Sequence, residues 1–349
     1  MTYYAHIGFS ELEGPLARLL EPPFRVIRHE PGAGALVAFG EDGPPLLWAA
    51  IAAMGLQAGY FWDEKRQSYK ITATGVEPAR KLKPGRNREV LRSIERKAKW
   101  AALDKSLCEG VSEPKVVPDG RVSWFWRFKR FVYVKPGRER PFRYSLRSPR
   151  GAGEYPLVVY LHSAGGFGID GVKAVREVGP LPQILFRKCR VLVPQTGLGD
   201  PYADEASEDL GEVIAGIPRV DRSKIYLMGM SMGGCGAVIE CRRHPGRYAA
   251  CVTSVAWLRN LESPGKDAGK YERPLDDEAF DALAQTPMWL GYGRDEKNVN
   301  EALFEALGKR GADVKRTYIK GFGHQLAGGV FWLTQPWAKW LFGKKRGSA

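Results

Sequence analysis

Gly229-Met230-Ser231-Met232-Gly233 is the stretch whose reading decides the fold. An apolar run, Lys224-Ile225-Tyr226-Leu227-Met228, leads into it, and a helix-like run from Gly234 to Arg243 follows. Strand, glycine-flanked serine and helix, in that order, make a nucleophile elbow. The flanking glycines have a steric purpose: the chain folds back beside the serine, and a Cβ at either position would clash. The turn lifts the Ser231 hydroxyl off the sheet edge and sets the Met232 N–H at a helix N-terminus, facing an oxygen that turns negative. A bare G-x-S-x-G arises by chance in a chain with 41 glycines, so its meaning rests on whether partners follow downstream.

Two of the five histidines lie after Ser231. His244, in Arg242-Arg243-His244-Pro245-Gly246, sits where a helix ends before proline, and reads as a C-terminal residue favourable to the helix dipole. It is also too close along the chain to return to the serine at the other end of its own helix. His324, in Gly321-Phe322-Gly323-His324, follows the strand-like run 314–319 and a glycine-rich loop, and is the expected general base. The acid should lie between serine and base, past a strand. The run 287–293 reads as a buried strand, and Arg294-Asp295-Glu296 follows at once. Asp295 is the expected acid, holding the imidazole tautomer through Nδ1–H. Strand-end geometry admits the adjacent Glu296 as well, while Asp313 precedes a strand and fits less well. Upstream, Tyr155–Leu161 is an apolar strand followed by His162-Ser163-Ala164-Gly165-Gly166-Phe167-Gly168. That loop lets backbone N–H groups converge, with Ala164 N–H the partner of Met232 N–H in an oxyanion hole. His162 reads as structural, and no second ligand at metal-binding spacing accompanies it.

These residues resemble the α/β-hydrolase superfamily, in its esterase branch of predicted peptidases, polyhydroxybutyrate depolymerase-like enzymes and carbohydrate esterases. The resemblance spans roughly residues 140–343. It rests on 155–162, Val193-Pro194-Gln195, the run 220–234, His244–Ala250 and Gly321–His324. It implies nucleophile Ser231, base His324 and acid Asp295, with no cofactor. The chain departs from the family at Ser163, where His-Gly is usual, and at Leu326, where tryptophan is frequent. Both departures bear on substrate more than on activity. Ser163, Phe167 and Trp257 are the expected substrate-contacting residues.

The expected fold is α/β: a mostly parallel central sheet with helices on both faces, preceded by a small α+β region. Strands are predicted at 155–161, 190–194, 224–229, 249–255, 287–292 and 315–320. Helices are predicted at 205–217, 233–243, 276–285, 299–310 and 328–342, an alternation that makes parallel sheets covered on both faces. Residues 256–275, polar and rich in glycine and proline, read as a cap loop or a plain surface excursion. Residues 1–110 read as a separate accessory region and 111–349 as the hydrolase. In the former, 24–29 and 35–39 suggest a strand pair, 45–54 a helix, and 59–62 with 68–72 a hairpin. The net charge of +14 is concentrated in two segments, +7 over 80–99 and +9 over 121–150. A helix predicted over 88–107 reads as a solvated linker, or else as a surface for an anionic polymer or membrane. Alternation over 123–134 suits a half-buried edge hairpin, and the family resemblance implies that it, with 142–146, supplies the first antiparallel strands of the sheet, although interleaved aromatic and basic residues also suit nucleic acid.

No run of eighteen apolar residues suggests a membrane span, and Met1–Ile7 has no signal-like character, so a cytoplasmic location is expected. Five cysteines without C-x-x-C spacing fit small core residues. The function expected is ester hydrolysis by Ser231, His324 and Asp295 through an acyl-enzyme, on a small-molecule or carbohydrate-linked ester, with no specific nucleic-acid partner. Peptidase or acyltransferase chemistry on the same residues, or polyanion binding on a non-catalytic scaffold, are the alternatives.

Overall fold

A computed structural model describes residues 1–7, 19–20, 22, 24–30, 34–53, 59–82, 84–123, 127–178, 183–184, 186–195, 204–256 and 276–347. The chain divides into two compact units, one over Met1–Glu109 and one carrying the described chain from Gly110 onward.

The first unit is a six-stranded antiparallel sheet. Its strands are β1 (Tyr3–Ile7), β2 (Arg25–Glu30), β3 (Gly34–Phe39), β4 (Gly59–Asp63), β5 (Gln67–Thr72) and β6 (Gly75–Lys81), in the order β2-β3-β1-β4-β5-β6. Period-two alternation sorts its side chains. Ala35, Val37, Phe39 and Phe61 pack with Leu47 of helix α1 (Gly43–Ala53), and Leu36 and Trp62 pack with Val90 and Ile94 of α2 (Arg86–Cys108). The predicted strand pair, helix and hairpin are present, while β1 and β6 lacked a readable pattern. Helix α2 is not a free linker, because Val90 and Ile94 are buried against the sheet. Its Arg88, Arg92 and Arg96 are exposed.

The second unit is built on nine strands: β7 (Lys115–Ser123), β8 (Phe128–Val134), β9 (Phe142–Arg147), β10 (Tyr155–Leu161), β11 (Arg190–Gln195), β12 (Val220–Met230), β13 (Ala250–Ser254), β14 (Met288–Tyr292) and β15 (Val314–Tyr318). Their order is β15-β14-β13-β12-β10-β11-β9-β8-β7. From β15 to β11 neighbours run parallel, and β9, β8 and β7 complete the sheet antiparallel. The aromatic–basic alternation therefore belongs largely to strands, and Trp124, Phe125 and Trp126 lie outside the described residues. The helices are α3 (Val172–Arg176), α4 (Asp204–Gly216), α5 (Met232–Arg243), α6 (Asp277–Ala284), α7 (Lys297–Gly308), α8 (His324–Thr334) and α9 (Trp337–Phe342).

Both faces of the central parallel strands are buried, as a parallel sheet requires. Leu157, Val159, Leu161 and Leu227 face α4 to α7, through Val213, Ala237, Leu283 and Leu303. Val158, Tyr160, Tyr226 and Met228 face α3, α8 and α9, through Val175, Phe331, Trp332 and Trp337. The single helix predicted over 328–342 is two. Gln335 is extended and Pro336 follows it, and a residue before proline is driven out of the helical region. The chain moves from β10 to β11 on one side, then to β12 on the other. The carboxyl ends of β10 and β12 thus flank a topological switch point, where open α/β sheets place their ligands.

Candidate active site

The parallel strands end in register. Leu161 pairs with Gly229, Met230 with Ser254, and Tyr292 with Tyr318. Everything that leaves these strands emerges on one edge, so residues 162–164, 231–232 and 293–296 and the chain after β15 converge there.

Ser231 sits between β12 and α5 with φ 55° and ψ −118°, a positive-φ conformation that costs strain for a residue with a Cβ. Its N–H is bonded to Ser254 O at 2.9 Å. The glycines have the steric role the sequence suggested: a Cβ on Gly229 would lie 2.0 Å from Gly233 O, and one on Gly233 would lie 2.0 Å from Leu161 O. Neither obstacle is a movable side-chain end.

Ser231 Oγ lies 2.8 Å from His324 Nε2, and His324 Nδ1 lies 2.5 Å from Glu296 Oε1. The carboxylate at Nδ1 is thus Glu296, not the expected Asp295. Asp295 Oδ2 instead accepts the backbone N–H of His324 at 2.9 Å. The turn after β14 separates the two side chains. Glu296 is 3% exposed and also accepts Gly293 N–H at 3.2 Å, whereas Asp295 lies at the surface. The N–H of His324 holds the Asp295 carboxyl below its usual range, and the Arg294 guanidinium adds to this. His324 is also not on a loop, since it opens helix α8, where an anionic acceptor for a first-turn N–H is favourable.

Asn300, wholly buried on α7, donates from its side-chain amide to Glu296 O at 2.9 Å and to Ala256 O at 3.3 Å. It ties the Glu296 turn to the end of β13. A lone polar residue in an amphipathic run gave no sign of this role.

Met232 opens α5, so its N–H has no carbonyl four residues back within the helix. Ala164 opens a single 3₁₀ turn, Ala164–Gly166, at the end of the neighbouring β10. His162 is 2% exposed, and its Nδ1 lies 2.7 Å from Ser163 O, in keeping with a structural role. Burial pushes its pKa down, which keeps the ring neutral. Phe167 is half-buried, edge-on to the His162 ring at 5.8 Å. Trp257 lies outside the described residues, as does all of the expected cap over 256–275 but Ala256.

His244 ends α5 and is far from the serine's relay. Its Nε2 meets Ser207 Oγ at 3.0 Å, and its pKa is pushed down to about 4, by burial first and then by Arg247 and Arg243. The ring is therefore neutral near pH 7 and does not supply the positive charge expected at that helix end. Among the described residues no three His, Cys, Asp or Glu side chains gather as a metal site, and no helix is long and apolar enough to cross a membrane.

Residues 185–346 match the Esterase family model. A thermostable esterase is similar at 24% identity and a TM-score of 0.49, over 63% of this chain and 63% of its own. This chain therefore spans less than two thirds of that relative. A ferulic acid esterase aligns at 18% identity and TM-score 0.45, over 66% of this chain and 100% of its own. An S-formylglutathione hydrolase from Agrobacterium tumefaciens aligns at 18% and 0.45, over 66% and 99%. None of the curated proteins matches this chain. The sheet order and the match over 185–346 give the second unit the α/β-hydrolase fold, and that stretch resembles esterases.

Proposed function

We propose that the second unit cleaves carboxylic esters of small molecules, carbohydrate-linked ones included, through a covalent acyl-Ser231. The supporting observation is the hydrogen-bonded relay from Ser231 Oγ through His324 to the buried Glu296. The hydroxyl proton faces Nε2, and the carboxylate fixes the tautomer with its proton on Nδ1. As Oγ attacks the ester carbonyl carbon, His324 Nε2 takes the hydroxyl proton and Glu296 stabilises the imidazolium. The carbonyl oxygen becomes an oxyanion, held by the N–H groups of Met232 and Ala164. Collapse of the tetrahedral intermediate expels the alcohol, which receives the proton from Nε2. Water then gives a proton to Nε2 as it attacks the acyl carbon, and a second collapse releases the acid and restores Ser231.

The test is p-nitrophenyl acetate turnover together with labelling by a fluorophosphonate. Wild-type enzyme should turn over the ester and carry the label on Ser231 by peptide mass. Ser231→Ala should lose both. Near-wild-type turnover in Ser231→Ala would falsify the proposal.

A further inference from the structure

We propose that Glu177, through Ser163, is a positioning residue that holds the Ala164 N–H on the developing oxyanion; this rests on the acyl-enzyme reading above. The observation is a carboxylate beneath a loop where a glycine-rich sequence alone would leave the donor free to wander.

The loop is built around Ser163. Its Oγ accepts Gly165 N–H at 3.3 Å and donates to Glu177 Oε2 at 2.7 Å, while its carbonyl accepts Gly166 N–H at 3.0 Å. Ala164 lies inside this ring of bonds. Glu177 also presses on the loop from below: a Cβ on Gly165 would fall 1.9 Å from Glu177 Oε1. The carboxylate is itself anchored at its backbone. The Glu177 N–H bonds Lys173 O at 3.1 Å, and the Glu177 carbonyl accepts the hydroxyl of buried Tyr160 at 2.9 Å. Tyr160 belongs to β10, the strand from which the loop departs, so base and loop share one rigid support. On the far side, Gln195 at the end of β11 donates from Nε2 to Gly166 O at 2.8 Å and accepts Gly171 N–H at 2.5 Å.

The physical logic is preorganisation. A donor that must move toward the oxyanion at the moment of reaction loses most of its value, and a misplacement of about 1 Å costs on the order of 10²-fold. Ser163 therefore faces the protein with its hydroxyl and acts through the turn, in place of the substrate contact expected from the sequence. Burial raises the Glu177 pKa and the Ser163 hydroxyl opposes that rise, as befits a carboxylate held for its hydrogen bonds.

Ser163→Ala, Glu177→Ala and Glu177→Gln are compared with wild type for ester kinetics, affinity for a trifluoromethyl ketone, fluorophosphonate labelling and thermal unfolding. The ketone forms the tetrahedral oxyanion and reads the donor directly. The first two variants should lose about 10 to 10²-fold in kcat with KM within about twofold, and the same factor in ketone affinity. Glu177→Gln keeps an acceptor oxygen and should recover most of that loss. Ser163→Ala removes one oxygen atom and keeps the test valid if the Glu177 variants unfold. Unchanged kcat and ketone affinity in Ser163→Ala, or a loss carried by KM or by unfolding alone, overturns the positioning role. Wild type that neither turns over esters nor labels at Ser231 overturns the acyl-enzyme reading, and the positioning role with it.

Discussion

Glu296 Oε1 meets His324 Nδ1 at 2.5 Å from a side chain that is almost wholly buried. Its chain neighbour Asp295 reaches the same histidine from solvent, by the backbone N–H. One carboxylate orients the ring and the other fixes the start of the helix that carries it.

The two carboxylates should separate cleanly in kinetics. Glu296→Gln is expected to lower kcat by roughly 10³ to 10⁴-fold, because the ring loses both its tautomer and its counter-charge. Asp295→Asn keeps an oxygen for the His324 N–H and should cost only a few-fold. Steady-state kinetics on one ester decide it, and equal losses in the two variants would refute the division of roles.

The elbow glycines should tolerate no side chain. Gly229→Ala drives a Cβ into the Gly233 carbonyl, and is expected to cost about 3 kcal/mol or more and most of the activity. Gly308→Ala is the internal control. Gly308 ends α7 with open space around it, and alanine there should stabilise by about 0.4–1 kcal/mol. Paired thermal melts check both; a Gly229→Ala protein that melts with wild type contradicts the steric argument.

His244 predicts a pH effect on stability, separate from catalysis. Its folded pKa, about 4, lies below the ordinary 6.5. The folded state thus favours the neutral ring, and the unfolded chain binds the proton first as pH falls. The stability contribution is present in full above pH 6.5 and is lost as pH falls toward 4. His244→Gln, which can still bond Ser207, should lose less of its melting temperature than wild type does between about pH 7 and about pH 4.5. An equal loss would show that His244 does not contribute.

Much of the fold was legible because burial imposes a pattern. Runs such as Tyr155–Leu161 are apolar at every position only where both faces of a strand are covered. Local chemistry also marked Ser231, since a strained turn needs Gly229 and Gly233 for close backbone approach. Strands β1, β6 and β7 were not legible. Strand β6 shows the reason: every residue from Gly75 to Lys81 is exposed, so no alternation marks it.

By itself the sequence determined the alternation of strand and helix, the elbow at Ser231 and the choice of His324 over His244, because each follows from chain-local sterics or order. Only the tertiary structure decided which of two adjacent carboxylates faces the imidazole, and that Ser163 turns toward Glu177. Those outcomes depend on where side chains point after distant segments have packed, and a separation of one residue along the chain carries no information about direction.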